Sequence, residues 1–246
     1  MTNCMKTEMG RMLSGKGFLW AVLLGSFGIC LGTSFPKPGT ILEPGSFISL
    51  EIDAFSSDVV NFLIPVVSVL PWSDSFLGEC KGGFLKVCLL RTCRKDYAES
   101  KALTVALGGG LAWMAAGILV LGGYFIVFFP VEKPGNMILE KLINMCFLLL
   151  RLGLIGGALS SLGGIFGAVS GSVYMAYGLP FVSYYFCVIL HDRYFPDVSW
   201  LYPLQWVNGS GQWGEHNKGL WLFLLLLFAG TVLIHREILL GQVEEI

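Results

Sequence analysis

Charged residues are absent from several long stretches of the chain, and these stretches predict membrane-spanning helices. The hydrocarbon core of a bilayer is about 30 Å thick, so a helix needs about 20 apolar residues to cross it. Long uncharged runs begin after Lys16, Asp58, Lys101, Arg151 and Lys218. We predict transmembrane helices at residues 17–35, 55–72, 102–129, 143–169, 173–190 and 218–235.

The longest uncharged run extends from Leu152 to Leu190, and it must contain a break. About 40 helical residues at 1.5 Å each reach about 60 Å, which is twice the hydrocarbon thickness. Two small polar segments are candidates for the turn, Ser160-Ser161 and Ser170-Gly171-Ser172. We prefer the second position, because it leaves residues 173–190 as an adequate fifth span.

The composition agrees with this pattern. The chain has 246 residues with 16 basic and 17 acidic side chains, so charged residues are 13% of the total, against about 25% in an ordinary soluble domain. This scarcity excludes a soluble enzyme domain, a disordered tail and a disulfide scaffold. The net charge of −1 argues against a nucleic-acid partner. The predicted fold is an all-α, polytopic integral membrane protein, in which residues 1–246 form a single membrane domain of six transmembrane helices.

Lysine and arginine residues gather on one side of the predicted topology. Ten of them fall in the two terminal segments and between spans two and three, whereas the segments on the opposite side hold five. Segments rich in Lys and Arg stay in the cytoplasm. We therefore predict that both termini and residues 73–101 are cytoplasmic, and that residues 191–217 form an outer loop rich in aromatic side chains.

Motifs of catalysis and metal binding are missing or incomplete. Gly10, Gly15 and Lys16 have the spacing of a phosphate-binding loop, but Gly17 stands where that motif needs Ser or Thr. The three histidines form no metal-binding pair, and no G-x-S-x-G nucleophile motif occurs. We predict no enzyme activity, no metal site and no cofactor bound directly to this chain.

The predicted cytoplasmic segment 73–101 is basic and amphipathic. Its first part predicts a short helix that begins near Asp74 and carries an apolar stripe, which Gly82-Gly83 interrupts. A second helix is predicted to start near Thr92 and to continue into span three. Such a segment either lies on the membrane surface through its Lys and Arg side chains or contacts a soluble partner. Composition by itself favours the membrane surface.

The order of residues in this segment resembles a known family. The residues that carry the resemblance are Glu79, Gly82-Gly83, Phe84-Leu85, Arg91, Arg94, Tyr97 and Lys101. This order is similar to the cytoplasmic loop of ABC transporter permeases of the type-2 exporter class. The six predicted spans and the late segment from Pro180 to Trp206 resemble such permeases from Gram-positive bacteria. Cys80 and Lys81 after Glu79, and Thr92 where Pro is common, depart from the family pattern.

The resemblance implies a permease subunit of an ATP-driven exporter in the cell membrane. A separate cytoplasmic ABC ATPase subunit would bind ATP and magnesium, and this chain would form half of the substrate path, as a homodimer or beside a sister permease. Residues 1–16 resemble the interfacial helix that precedes span one, although a frayed basic tail explains them nearly as well. The resemblance assigns coupling to the ATPase to Glu79, Gly82, Gly83, Arg91, Arg94, Lys95, Tyr97 and Lys101.

Within the predicted spans, one cation and a set of glycines are candidates for function. Arg151 lies near the bilayer midplane if span four begins near Glu140, which makes it a candidate for the substrate path; a start at Met145 lets it reach the interface instead. Small residues four positions apart allow helices to pack closely, either within one chain or across a dimer seam. We place the dimer seam on span one. The glycines predicted to pack in this way are Gly28, Gly32, Gly153, Gly157, Gly163, Gly167 and Gly171.

Two other classes of function remain open. A membrane scaffold or sensor component needs the same spans but moves no substrate. An ion-coupled carrier needs ionisable groups near the midplane, and Arg151 is the one residue predicted there. A gene for an ABC ATPase next to this one would favour the exporter.

Overall fold

The computed structural model describes residues 2–36, 42–90, 92–133, 138–209, 213–214 and 217–244. Within these ranges the chain is helical and has no strand, which confirms the all-α prediction there; Leu42 and Glu132 form an isolated backbone bridge. The described α-helices are α1 Thr2–Leu13, α2 Lys16–Gly32, α3 Ser46–Phe55, α4 Asp58–Val69, α5 Ser75–Lys81, α6 Phe84–Leu89, α7 Arg94–Phe128, α8 Ile138–Ser170, α9 Val173–Arg193, α10 Pro203–Asn208 and α11 Lys218–Glu244.

Four of these helices, α7, α8, α9 and α11, are long and apolar enough to cross a bilayer. Two further segments qualify only as bent pairs, α1 with α2 at 53° and α3 with α4 at 71°. The described chain therefore has between four and six segments suited to a membrane. Between α8 and α9 the backbone turns at Gly171, whose φ of +64° lies in the left-handed region that glycine adopts without strain.

The segment predicted as span two has a different form in the structure. The prediction begins at residue 55, because the uncharged run between Asp58 and Asp74 is short and Phe55 extends its apolar part. The structure instead has α3 over Ser46–Phe55, a break at Ser56 and Ser57, and α4 from Asp58. The Ser57 hydroxyl accepts a hydrogen bond from the Val60 backbone N–H at 3.4 Å, which caps α4. As a result Glu51 lies in the interior and is fully buried.

The cytoplasmic-segment prediction also needs a correction in its helix boundaries. Gly82 and Gly83 do not merely interrupt a helix: they separate α5 from α6, because Gly83 has a φ of +68°, which ends a right-handed helix. Helix α7 then begins at Arg94 and continues without a break to Phe128. At 1.5 Å per residue its 35 residues extend about 50 Å, so its first turns project beyond the apolar part of the bundle.

Helices α7 and α8 pack through glycine. A Cβ added at Gly109 would lie 2.5 Å from the Gly156 carbonyl oxygen and 2.6 Å from the Ser68 carbonyl oxygen. A Cβ at Gly110 would lie 2.5 Å from the Gly153 carbonyl oxygen. Two helices this close can pack backbone on backbone, which is how apolar helices associate when lipid supplies no hydrophobic preference.

The two ends of the bundle have different contents. Helices α1, α5 and α6, the start of α7 and the end of α11 meet at one end, which we call the ion-network end. The other end, which we call the loop end, holds the described residues 33–36, 42–45, 129–133, 138–141, 194–209, 213–214 and 217. At the loop end Glu132 accepts hydrogen bonds from the Gly45 and Phe47 backbone N–H groups, both at 2.8 Å, and from the Ser46 hydroxyl at 2.6 Å. This carboxylate therefore caps the N-terminus of α3.

Candidate functional site

Two acidic and two basic side chains form a buried ion network at the ion-network end. Lys101 Nζ lies 2.9 Å from Glu8 Oε2 and 2.9 Å from Glu79 Oε1. Arg11 Nη1 lies 2.6 Å from Glu8 Oε1 and 2.8 Å from Glu79 Oε1. Each carboxylate thus touches both cations, and the four charges cancel. Tyr97 completes the network, because its hydroxyl donates a hydrogen bond of 2.5 Å to Glu79 Oε2.

Aromatic rings border the two cations of the network, while the Arg11 side chain stays 39% exposed. Lys101 Nζ lies 5.5 Å from the centre of the Trp72 ring, and the Arg11 guanidinium lies 5.8 Å from that ring and 5.3 Å from the ring of Phe84. Lys101 is fully buried, and Glu8 and Glu79 are each 5% exposed. In such surroundings a charge is tolerated because it has partners, and cation–π contacts add to the attraction.

The protonation of Glu79 follows from these contacts. Burial by itself raises the pKa of the Glu79 carboxyl, but the charge of Lys101 and the hydrogen bonds from Tyr97, Lys101 and Arg11 outweigh it and hold the pKa below its ordinary value. Glu79 is therefore ionised at neutral pH in the folded protein, as an ion pair with Lys101 requires.

The network joins three elements that are distant in sequence. Glu8 and Arg11 are on α1, Glu79 is on α5, and Tyr97 and Lys101 are on the first two turns of α7. Beside it, Arg236 near the end of α11 pairs with Glu99 on α7 at 2.7 Å. The short helices after α4 are thus tied through buried charge to the longest helix of the bundle.

The structure divides the residues that the resemblance assigned to coupling. Glu79, Tyr97 and Lys101 lie in the ion network. Arg91 lies outside the described residues. The exposed members are Gly82, Gly83, Arg94 and Lys95. Because Glu79 is buried and paired within the chain, it is placed to hold α5 on α1 and α7. Its contact with a separate subunit stays a prediction.

Helix α6 carries an exposed apolar patch that the sequence analysis did not single out. Phe84, Val87 and Leu90 are 47%, 48% and 87% exposed and recur every three residues, so they share one side of the helix. We call these three residues the α6 patch. Exposed basic side chains border it in sequence, at Lys81, Lys86, Arg94 and Lys95. The sequence contains a signal for the patch, because the run Phe84–Leu90 has more apolar residues than one buried helix face can hold. Leu85 and its neighbours on one side face the interior, and the patch lies on the other side.

Arg151 lies in a second polar site, at the loop end. It lines a cavity of about 520 Å³ together with Ser56, Asn144, Asn208 and Asn217, and with the apolar residues Ile52, Phe147, Leu148 and Trp221. Gly209 allows the guanidinium to approach the backbone there, because a Cβ at that position would lie 2.2 Å from Arg151 Nη1. Within the described part of the chain, the buried Arg151 Nε has no hydrogen-bond partner.

The predicted packing glycines contact neighbouring helices of the same chain, with one exception. A Cβ at Gly28 or Gly32 would meet Leu63 at 2.3 Å or Ser57 at 2.2 Å, so the span-one glycines pack against α4 and its cap. These two glycines therefore pack within the chain, and the dimer seam on span one stays a prediction. Gly153, Gly157, Gly163 and Gly167 pack against α7, α9 or α11, whereas Gly171 has no neighbour within 4 Å and serves the turn.

Glu51 is a buried acid that sequence analysis had placed outside the spans. Neither of its carboxylate oxygens has a hydrogen-bond partner among the described residues. It faces α7, since a Cβ at Gly117 would lie 3.4 Å from Glu51 Oε1 and 2.4 Å from Leu149 on α8. The charge of Glu51 suggested a position at the surface, whereas tertiary packing buries this side chain.

No protein-family model matches this sequence, and no match is found among curated proteins. The family resemblance therefore rests on the residues of the chain themselves, and function must be argued from the ion network, the α6 patch and the polar cavity.

Proposed function

We propose that this chain is the permease subunit of an ATP-driven ABC exporter, which crosses the cell membrane six times with both termini in the cytoplasm. The observation that carries the proposal is the pairing of an exposed apolar patch on α6 with a buried ion network directly beneath it. An ATPase subunit that docks on the patch would act on the transmembrane helices through this network.

The α6 patch has the chemistry of a protein interface. Exposed Phe and Leu side chains at its centre are suited to burial in a partner's pocket, and the basic residues around it are suited to an acidic rim. Phe84 also touches the network directly, because its ring lies 5.3 Å from the Arg11 guanidinium. Force applied to α6 therefore reaches Arg11, then Glu79 and Lys101.

Helix α7 supplies the path from the network to the membrane domain. Lys101 is in the second turn of α7, and this helix is unbroken over its whole length of 35 residues, Arg94–Phe128. Its glycine face is in backbone contact with α8, so a tilt at the ion-network end moves both helices together. Coupling between distant sites requires a rigid helix that is tightly packed against its neighbour, and α7 with α8 meets this requirement.

We expect the double substitution Val87→Asp and Leu90→Asp to abolish coupling while leaving the fold intact. Two carboxylates in the patch would lose the apolar contact, and loss of a central interface residue usually weakens binding by about tenfold or more. The measurement is co-purification with each ABC ATPase that is encoded near this gene, together with ATP hydrolysis by the pair when both are reconstituted in nanodiscs.

Leu13→Asp is the matched control, because Leu13 is 49% exposed at the end of α1 and is not part of the α6 patch. The control is expected to bind the ATPase as the wild type does. If the double variant binds and stimulates the ATPase as well as Leu13→Asp, the docking site is wrong. If the wild-type chain forms no complex with any ABC ATPase encoded nearby, the exporter proposal itself is overturned.

A second candidate function, an ion-coupled carrier, is favoured by Glu51. A fully buried carboxyl without a described hydrogen-bond partner is a plausible proton-binding group in a transporter. Glu51→Gln keeps the shape but cannot ionise, so under this function it is expected to abolish substrate movement driven by a proton gradient in proteoliposomes. Asp53→Gln, an exposed neighbour on the same helix, is the control. Equal transport by both variants would remove this candidate.

A further inference from the structure

The polar cavity around Arg151 adjoins an apolar groove at Trp221. The groove has a volume of about 330 Å³ and lies between α7, α8 and α11, where the described residues that line it are all apolar or glycine. Trp221 lines both spaces, and Leu150, in the groove, is adjacent to Arg151, in the cavity. A polar space and an apolar space therefore lie next to each other, one on either side of Trp221.

The direction of the groove matches the direction of the bilayer. From Trp221 it passes Leu225 and Phe228 on α11 and Leu154 on α8, all farther from the loop end than the cavity. The polar part, with Asn208 and Asn217 from the loop end, would then lie toward the membrane surface, and the apolar part toward the membrane centre.

The chemistry of the cavity selects for an anion. Among the described residues that line the cavity, Arg151 has the one charged side chain. No carboxylate in the described part of the chain forms an ion pair with it. The side-chain amides of Asn144, Asn208 and Asn217 supply further donors. The Ser56 hydroxyl is already used, since it donates to Asn208 Oδ1 at 3.0 Å. Asn217 Nδ2 donates to the Gly209 carbonyl oxygen at 3.2 Å. A planar guanidinium with free donors pairs preferentially with phosphate or carboxylate, and the burial of its unpaired Nε makes a partner favourable.

We propose that the cavity and the groove together bind a membrane lipid with an anionic phosphate head group. The phosphate pairs with Arg151 and the asparagine amides, and one acyl chain lies along the groove between α7, α8 and α11. This inference rests on the geometry of the site alone and does not depend on the presence of an ATPase.

The test is lipid binding to the purified, delipidated full-length chain, measured by native mass spectrometry with added phosphatidylglycerol or phosphatidylcholine. The wild type is expected to bind phosphatidylglycerol more tightly than phosphatidylcholine. Arg151→Gln is expected to weaken phosphatidylglycerol binding by about tenfold or more, since a hydrogen-bonded charge contributes that much. Arg193→Gln removes an exposed cation at the same end and is expected to change nothing.

A second pair of variants tests the apolar part. Leu225→Trp fills the groove and is expected to weaken lipid binding, whereas Leu226→Trp changes an exposed neighbour outside the groove and is not. Equal phosphatidylglycerol affinity for Arg151→Gln and Arg193→Gln would overturn the proposal. Competition by glycerol phosphate at concentrations equal to those of the lipid, with no effect of Leu225→Trp, would assign the cavity to a soluble anion and overturn the lipid assignment.

Discussion

Replacing Lys101 with methionine should destabilise the protein more than any other single change at the ion-network end. Lys101 is fully buried and bonds to both Glu8 and Glu79 at 2.9 Å. Without it the network holds two carboxylates and one cation, and one negative charge remains buried and uncompensated. Breaking a buried ion pair in this way typically costs about 3–5 kcal/mol. The expected result is a large drop in the melting temperature of the purified protein in detergent.

Lys95→Met is the matched control, since Lys95 is exposed on the same helix one and a half turns earlier. It is expected to leave the melting temperature nearly unchanged. The double variant Lys101→Met with Glu8→Gln restores charge balance and is expected to recover part of the loss. Equal melting temperatures for Lys101→Met and Lys95→Met would show that the network does not hold this end together.

Gly109→Ala should loosen the contact among α4, α7 and α8. The added methyl would lie 2.5 Å from the Gly156 carbonyl oxygen, 2.6 Å from the Ser68 carbonyl oxygen and 2.6 Å from Ser160 Cβ. Backbone atoms on two sides cannot yield as a flexible side chain can, so the helices must separate. Overpacking of this kind costs about 1–3 kcal/mol, and more where the surroundings are rigid. We expect the melting temperature in detergent to fall by several degrees.

The same helix offers a control for this substitution. A Cβ at Gly123 meets no atom within 4 Å, so Gly123→Ala changes the residue type without changing a contact. Because alanine is favoured over glycine inside a helix by about 0.5–1 kcal/mol, a slight rise in melting temperature is expected there. A similar small effect at Gly109 would mean that α7 and α8 are not in backbone contact.

The apolar helices were predictable because uncharged runs determine where a chain can cross a membrane. The same rule failed at α3: Glu51 and Asp53 made the segment look exposed, whereas packing against α7 and α8 buries Glu51 and leaves Asp53 exposed. The packing glycines show a similar limit. The four-residue spacing identified Gly153 and Gly157, but the tightest backbone contacts on α7 are at Gly109 and Gly110, where an added Cβ would lie 2.5 Å from a carbonyl oxygen of α8 and the signal was three successive glycines.

The candidate sites were predictable only in part. Tyr97 and Lys101 were marked by resemblance, and Arg151 by its charge within a span, yet their partners depend on the fold. Nothing in local sequence relates Glu8 to Lys101, which are 93 positions apart. Likewise, two of the three asparagines that line the Arg151 cavity come from other segments, Asn208 from the end of α10 and Asn217 from the residue before α11. Their role therefore follows from tertiary structure.

That long separation determines the order in which the protein can be assembled. During synthesis Glu8 emerges from the ribosome long before Lys101, and Glu79 also precedes it. On α1, Glu8 has Arg11 as a partner from the start, but its contact with Lys101 requires the beginning of α7. The complete ion network can therefore form only after α1, α5 and the first turns of α7 have all been synthesised.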